Sequence, residues 1–287
     1  MNYLNTEGLR PVTFMDNQNK PLITVVTVCY NAVNELEKTM LSVLNQTYDN
    51  IEYIVIDGGS KDGTVDIIKK YADRLAYWVS EPDKGIYDAM NKGIKAATGE
   101  WINFMNAGDW FYEIHTLSIV FDKAIDAKYD VVYGDRISSY SKADYVQKPW
   151  AIEEFSFHFP IFHQSSFIRT GIMKKTGYDL NYRICADFAF FYKVWSNNGA
   201  FFYVNVIMSV CECENGLSTH PRNDVRRVKE DIMITKGYLN MFTRFLLYKV
   251  FIFSWIKCYM HSLFPALFEK WKYSKLGRNV RFKRIKL

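Results

Sequence analysis

No stretch of the 287-residue sequence carries a Gly-x-Gly-x-x-Gly fingerprint or the lysine-containing phosphate loop of an ATPase. A conventional dinucleotide-binding domain and a P-loop enzyme are therefore not indicated. Cysteine is scarce: Cys29, Cys185, Cys211, Cys213 and Cys258 make an odd set without zinc-like spacing. Cys211 and Cys213 fall two apart on one face of an expected strand, which suits core packing better than a shared metal. Unpaired thiols point to a reducing compartment. Repeats, low-complexity segments and a Pro/Gly/Ser-rich linker are missing, which favours one compact body over two independent units. No secretory pattern is seen in the polar first 19 residues, so the chain is expected to stay where it is made. A clean apolar run long enough to span a bilayer, about 20 residues, is missing too. Residues 245–268 approach it, but Lys249 and Lys257 interrupt them and Pro265 breaks them.

Charge and aromatic content are the positive features. The formal net charge is +5, yet residues 270–287 hold Lys270, Lys272, Lys275, Arg278, Arg281, Lys283, Arg284 and Lys286 with no acidic residue. The remainder is slightly acidic and has no general affinity for nucleic acid. Aromatics reach 17%, with 21 Phe and 20 Tyr, which implies a face committed to something apolar. Helices lying on a membrane surface, followed by the basic tail, fit residues 242–287. Packing of the same helices on the body or on a second copy is the competing reading.

Residues 22–29 (LITVVTVC), 51–56 and 101–105 read as strands buried on both faces. A further apolar stretch covers 75–79. Helical spacing covers 34–46, 65–71 and 87–97, and strands alternating with helices of this length predict βαβ units and a parallel sheet. A helix over 117–127 and a strand over 129–133, ending at Gly134-Asp135, follow. Residues 145–150 and 161–168 read as short strands, 187–195 as an aromatic helix, and 201–213 as a long strand. The organisation expected is an arm at 1–20, a parallel α/β half at 21–135, a less regular half of the same body at 136–222, and C-terminal helices with the tail at 223–287.

Two stretches carry the chemistry. Residues 101–109 (WINFMNAGD) run from an apolar strand into Asn106, Gly108 and Asp109, which puts a carboxylate at the sheet's C-terminal edge. Ligands bind there in open α/β folds, although Asn, Gly and Asp also make ordinary turns. Residues 54–64 (IVIDGGSKDGT) repeat the arrangement with Asp57, followed by glycines that let backbone amides approach a ligand. Asp57 suits a ribose or base N–H, and Asp62 suits the cap of the next helix.

Four segments in order, VTVCYN (26–31), DGGSKDGT (57–64), EPDKGIYDAMNKG (81–93) and ATGEWINFMNAGD (97–109), resemble family 2 glycosyltransferases of the GT-A fold. The resemblance is strongest over 22–135 and extends to about 218. It implies an α/β fold with a mostly parallel nucleotide-binding sheet flanked by helices, a less regular acceptor side, and C-terminal helices. One departure is plain: the family's acidic cluster after the fourth strand is reduced here to Asn106, Gly108 and Asp109. Such a version is similar to enzymes building bacterial capsule, exopolysaccharide and colanic-acid-like polymers.

By this resemblance Thr27 and Asn31 line the nucleotide pocket, Asp57 contacts base or ribose, and Lys84 and Asp88 lie near the donor. Asp109 anchors Mg²⁺ or Mn²⁺ on the diphosphate, the metal arriving with the nucleotide, and Asp135 offers a further contact. His163 in FHQSSF matches the donor–acceptor junction, with an interface histidine as its plain alternative. Asp187 in ICADF matches the catalytic base, with a helix cap as its alternative. NGLS (215–218) resembles a loop over the diphosphate, with His220 and Arg222 beside it. The expected activity is inverting transfer of a sugar, a UDP-sugar by preference, to a saccharide or polyprenyl-diphosphate-linked acceptor at the cytoplasmic membrane face. An inactive nucleotide-sugar-binding module and a nucleotidyltransferase are the alternatives.

Overall fold

The computed structural model describes residues 20–121, 125–152, 161–214, 223–235, 241–278 and 282–285. Strand β1 (Ile23–Cys29) is buried along its whole length, as its unbroken β-branched sequence requires. Helix α1 (Leu36–Leu44) leads to β2 (Ile51–Asp57), α2 (Thr64–Lys70) to β3 (Tyr77–Ser80), and α3 (Ile86–Ala96) to β4 (Trp101–Phe104). All four strands pair in parallel in the order β3-β2-β1-β4. Cys29 and Asp57 fall side by side in register, so β1 and β2 discharge their loops at one edge.

Alternation along the strands feeds two cores. Val26, Val28, Ile54 and Ile56 pack with Met90 and Ile94 of α3, whereas Ile23, Val25 and Val55 pack with Leu36, Met40 and Val43 of α1. Full burial of such a side chain contributes about 1.5–3 kcal/mol. Helix α3 lies close enough to β1 that a Cβ at Gly93 would stand 2.4 Å from Val26 Cγ1.

Beyond β4 come β5 (Asp109–Phe111), α4 (Thr116–Phe121), β6 (Val131–Tyr140) and β7 (Ala143–Gln147). A 3-10 turn at His163–Ser165 then opens β8 (Ser166–Arg169), followed by α5 (Thr170–Thr176), α6 (Ala186–Ser196) and β9 (Phe201–Glu212). Strand β8 pairs antiparallel with both β4 and β6, joining the second half to the first in one sheet. Helices α7 (Asp224–Thr235), α8 (Met241–Leu263) and α9 (Pro265–Arg278) follow, and β10 (Phe282–Ile285) pairs with β7 at the sheet edge.

Several boundaries differ from the sequence reading. Strand β6 does not end at Gly134-Asp135 but continues to Tyr140, because its pairing with β9 shifts register there and absorbs the irregularity. Asp109 is the first residue of a short strand on β9, not part of a plain turn. Residues 161–168 divide into the 3-10 turn and β8. Part of the basic tail is a sheet strand, so that segment is not free to lie elsewhere. The arm over 1–19 lies outside the described residues.

Candidate active site

The loops after β1, β2 and β4 and the N-terminus of α3 meet at one edge of the sheet. Asp57 closes β2 and is fully buried. Its Oδ2 accepts the amides of Gly59 (3.0 Å) and Ser60 (2.9 Å) and the Ser80 hydroxyl (2.6 Å). Its Oδ1 accepts the Ser60 hydroxyl and the Cys29 thiol. A carboxylate so occupied organises the Gly58–Ser60 turn from beneath, which revises its expected role as a direct ligand contact. Burial, then the Asp57 charge, push the Cys29 thiol well above its ordinary range. Asn31 adopts φ +47°, its amide donates to Ser60 Oγ at 2.7 Å, and its side-chain oxygen accepts from the Lys61 amide at 3.1 Å. Asp62 takes the amide (3.0 Å) and hydroxyl (2.6 Å) of Thr64, the first residue of α2, so the capping role falls to it.

Thr27 is also fully buried, its hydroxyl donating to the Met105 carbonyl at 2.8 Å and lying 2.9 Å from the Tyr53 hydroxyl. It ties β1 to the end of β4 and does not line an open pocket. The exposed group here is Tyr30, 64% accessible. A Cβ on Gly58 would run into both the Tyr30 ring and the Asp83 carboxylate. The three residues therefore meet, with the Tyr30 side chain largely exposed. Asp83 accepts the Gly85 amide at 2.8 Å, and Asp88 accepts the Lys84 amide at 3.0 Å, closing the first turn of α3. The Lys84 side chain is exposed. Nothing in the sequence marks Tyr30 among 20 tyrosines, because exposure at a strand end is a tertiary property.

After β4 the chain turns through Asn106 and Gly108, and Thr39 of α1 pins the turn. Its hydroxyl donates to the Asp109 carbonyl at 2.7 Å and accepts the Gly108 amide at 3.1 Å. Asp109 Oδ2 accepts from Gln164 Nε2 at 3.0 Å. Burial raises the Asp109 pKa from its ordinary value, opposed by the neighbouring His163 and by bonds from Cys211 and Gln164. His163 stands next in the 3-10 turn. Its Nδ1 lies 3.1 Å from Asp187 Oδ2 and its Nε2 lies 3.3 Å from Asn106 Nδ2. A carboxylate only accepts, so Nδ1 carries the proton and Nε2 accepts from the amide.

Asp187 sits in the first turn of α6 and is buried. Its Oδ1 accepts from the Tyr87 hydroxyl (3.0 Å) and the Phe188 amide (2.9 Å), and its Oδ2 from His163. Burial, then the Asp187 charge, hold the Tyr87 hydroxyl protonated far above its ordinary range. Helix capping thus accounts for only one of its three contacts. Asp109 and Asp187, from opposite halves of the chain, are bridged through the neighbours His163 and Gln164.

The side-chain amide oxygens of Asn106 and Gln164 are buried without a hydrogen-bond donor. With Asp109 they form a small set of hard oxygen donors. Such a set fits a divalent cation that brings further oxygens from a diphosphate and water. It does not form a complete cage: among the described residues no cluster of three or more His, Cys, Asp or Glu could hold a metal. Asp135 is engaged by the Tyr203 hydroxyl at 2.7 Å, and burial raises its pKa. Residues 215–218, His220 and Arg222 lie outside the described residues.

Comparison with known proteins gives this geometry a context. The family model described as glycosyl transferase family 2 matches residues 24–197. A PGL/p-HBAD biosynthesis glycosyltransferase of Mycobacterium bovis (strain BCG / Pasteur 1173P2) is 32% identical over 206 residues, 69% of this chain and 79% of its own length. The mannosyltransferase PcManGT from Pyrobaculum calidifontis, in complex with GDP-Man and Mn²⁺, superposes with a TM-score of 0.61 at 16% identity, covering 91% of this chain and 81% of that one. S. aureus TarS 1-349 in complex with UDP gives 0.60 at 18% identity, covering 88% and 77%. This chain spans 44% of the longer TarS structure. At these identities the solved structures establish a common fold.

Proposed function

The chain belongs to glycosyl transferase family 2, and from that premise we propose that this glycosyltransferase works by inversion, with Asp187 as general base. The observation that carries the reading is the series Asp187–His163–Asn106, half-buried at the histidine and adjoining Gln164–Asp109. It sets a proton acceptor and an anion-anchoring end within one polar network, as a single displacement needs. Asp187 Oδ1 already serves two donors, whereas Oδ2 serves His163 alone and retains a lone pair for an acceptor hydroxyl. The hydroxyl proton passes to that oxygen while its oxygen attacks the anomeric carbon and the nucleoside diphosphate departs from the opposite face. The His163 Nδ1–H bond fixes the orientation of Asp187.

At the donor end, the exposed Tyr30 ring supports stacking of a nucleoside base, with Asn31 and the Asp57-ordered turn beside it. Asp109 and the free carbonyl oxygen of Asn106 would hold Mg²⁺ or Mn²⁺, which supplies charge neutralisation for the leaving diphosphate when bound. We favour a UDP-sugar, as the fold is shared with a UDP-bound protein; GDP is the competitor to test.

The acceptor we propose is a saccharide or polyprenyl-diphosphate-linked saccharide met at the cytoplasmic face of a membrane. Among the described residues no helix is long and apolar enough to cross a bilayer. Yet α8, α9 and the residue that joins them expose Phe253, Trp255, Tyr259, Phe264, Leu267 and Trp271. Leu267, Lys270, Trp271, Ser274 and Lys275 line an open hollow of about 450 Å³. Aromatic side chains beside lysines suit an anionic lipid surface.

Asp187→Asn tests the central claim. Donor affinity, measured by calorimetry across UDP-, GDP- and dTDP-sugars, is expected to hold, while kcat falls by about 10²- to 10⁴-fold. Retention of more than about a tenth of wild-type kcat, with chemistry rate-limiting, assigns the base elsewhere.

A further inference from the structure

Helix α6 carries Asp187, but its N-cap position supplies no side-chain cap. The residue before it, Cys185, makes no capping bond, and its thiol points to the Arg227 carbonyl at 3.6 Å. The segment that leads into α6 is instead held from another helix. Glu230 of α7 is buried, and its carboxylate gathers three successive amides from the approach to α6. Oε1 accepts from Arg183 (3.1 Å), and Oε2 accepts from Ile184 (2.9 Å) and Cys185 (2.9 Å). The carbonyl of the middle residue, Ile184, accepts from the Tyr87 hydroxyl at 2.7 Å, the same hydroxyl that stands 3.0 Å from Asp187 Oδ1. Glu230 thus fixes both the backbone two residues before Asp187 and the carbonyl that shares its tyrosine.

We propose that Glu230 is a positioning residue for the transfer reaction, setting Asp187 and through it His163. The proposal rests on Asp187 being the base. Three amides held by one rigid carboxylate leave segment 183–185 little freedom to shift, and displacement of a reacting group by about 1 Å costs on the order of 10²-fold in rate. Helix α7 lies beyond the family match over residues 24–197, so this element comes from the C-terminal part of the chain. It is itself fastened to α8 through the Asp224–Lys257 ion pair and braced by Arg227 between Asp224 (3.6 Å) and Asp231 (3.4 Å).

The test uses the full chain as wild type, Glu230→Ala, Glu230→Gln and Asp187→Asn, labelled with ¹⁵N-histidine; His163→Gln assigns the resonance. Wild type is expected to give an Nδ1-protonated His163 held by a carboxylate. Glu230→Ala is expected to move that signal toward its position in Asp187→Asn and to speed amide exchange over 183–188. Glu230→Gln keeps one oxygen for the Ile184 and Cys185 amides, so it falls between, and it carries the test if the alanine variant does not fold. With UDP-glucose as probe, Glu230→Ala is expected to lower kcat of donor hydrolysis by about 10²-fold with KM unchanged. The double variant with Asp187→Asn should be no slower than Asp187→Asn alone. A folded Glu230→Ala or Glu230→Gln protein with wild-type His163 signal and wild-type exchange overturns the proposal. If the His163 signal responds but Asp187→Asn keeps wild-type turnover, the base assignment fails instead, and the two failures are distinguishable.

Discussion

Replacing Asp57 separates two roles that the sequence leaves together: contacting the donor, or holding the loop that does. The carboxylate accepts two amides, two hydroxyls and a thiol while fully buried. Hydrogen bonds to a charged group contribute about 1.5–3 kcal/mol each, and an orphaned buried donor costs about 1–3 kcal/mol. In Asp57→Asn the amide oxygen can take the Oδ2 position and keep the Gly59 and Ser60 amides and the Ser80 hydroxyl. Its NH₂ group then faces Ser60 Oγ, which already accepts the Asn31 amide. The Ser60 bond weakens or reverses and the weak Cys29 thiol bond is lost, the thiol keeping the Ile56 carbonyl, so a loss of about 1.5–3 kcal/mol is expected. Asp57→Ala strands two amides and should cost about 2–6 kcal/mol, a large part of a normal folding stability. Urea unfolding followed by tryptophan fluorescence reads both values, and calorimetry with UDP reads donor affinity. Because Ser60 also holds Asn31, affinity is expected to fall in step with stability across Asp57→Asn, Ser60→Ala and Ser80→Ala. An Asp57→Asn protein of wild-type stability that no longer binds UDP would refute this reasoning and return Asp57 to the role of direct contact.

Two further outcomes follow from the same geometry. Burial raises the Asp109 pKa in the folded state; the stability this lends is fully present below the unfolded carboxylate value of about 4 and is lost as pH rises through the folded value. Urea midpoints from acid to neutral pH should therefore decline less for Asp109→Asn than for wild type, and Mn²⁺ with UDP should raise the Tm of wild type but not of the variant; parallel pH curves would contradict the burial argument. For the C-terminal helices, Phe253→Ser with Trp255→Ser should leave the fold intact, since both side chains are exposed, and should reduce flotation with vesicles containing anionic lipid; unchanged flotation ends the membrane reading. These substitutions test it more cleanly than deletion, which would also remove the buried Phe268 and the strand paired with β7.

The donor half was legible because its signals are local. Runs such as 22–29 and 51–56 announce two-faced burial, and each ends in the short polar turn that builds the site. The second half is assembled by distant pairing and resists such reading. Strand β5 is three residues long and exists through its partner β9, with Asp109 opposite Cys211. Gly134 carries an ordinary turn signal, yet the chain bulges there because β9 supplies a partner strand on the far side. Asp57 stands out at the end of its strand, but the hydroxyls of Ser60 and Ser80 that enclose it are separated in sequence. Glu230 is one acidic residue in a charged helix beside Lys229 and Asp231, and only the fold turns it toward residues 183–185.

The reduced acidic cluster after β4 has a physical reason in the second half of the chain. Asn106 is buried, and its amide group meets His163 Nε2 while Asp187 takes His163 Nδ1. A carboxylate at position 106 would offer only acceptors to that nitrogen. The imidazole would then need both protons and would lie between two buried anions, with Asp109 as a third acidic group nearby. Burial alone already raises the Asp109 pKa, and a second buried charge beside it would raise it further. An amide avoids that conflict: its NH₂ satisfies the neutral histidine, and its carbonyl oxygen stays free. Asn106 thus satisfies His163 with one end of its amide and keeps an uncharged, unpartnered oxygen at the other.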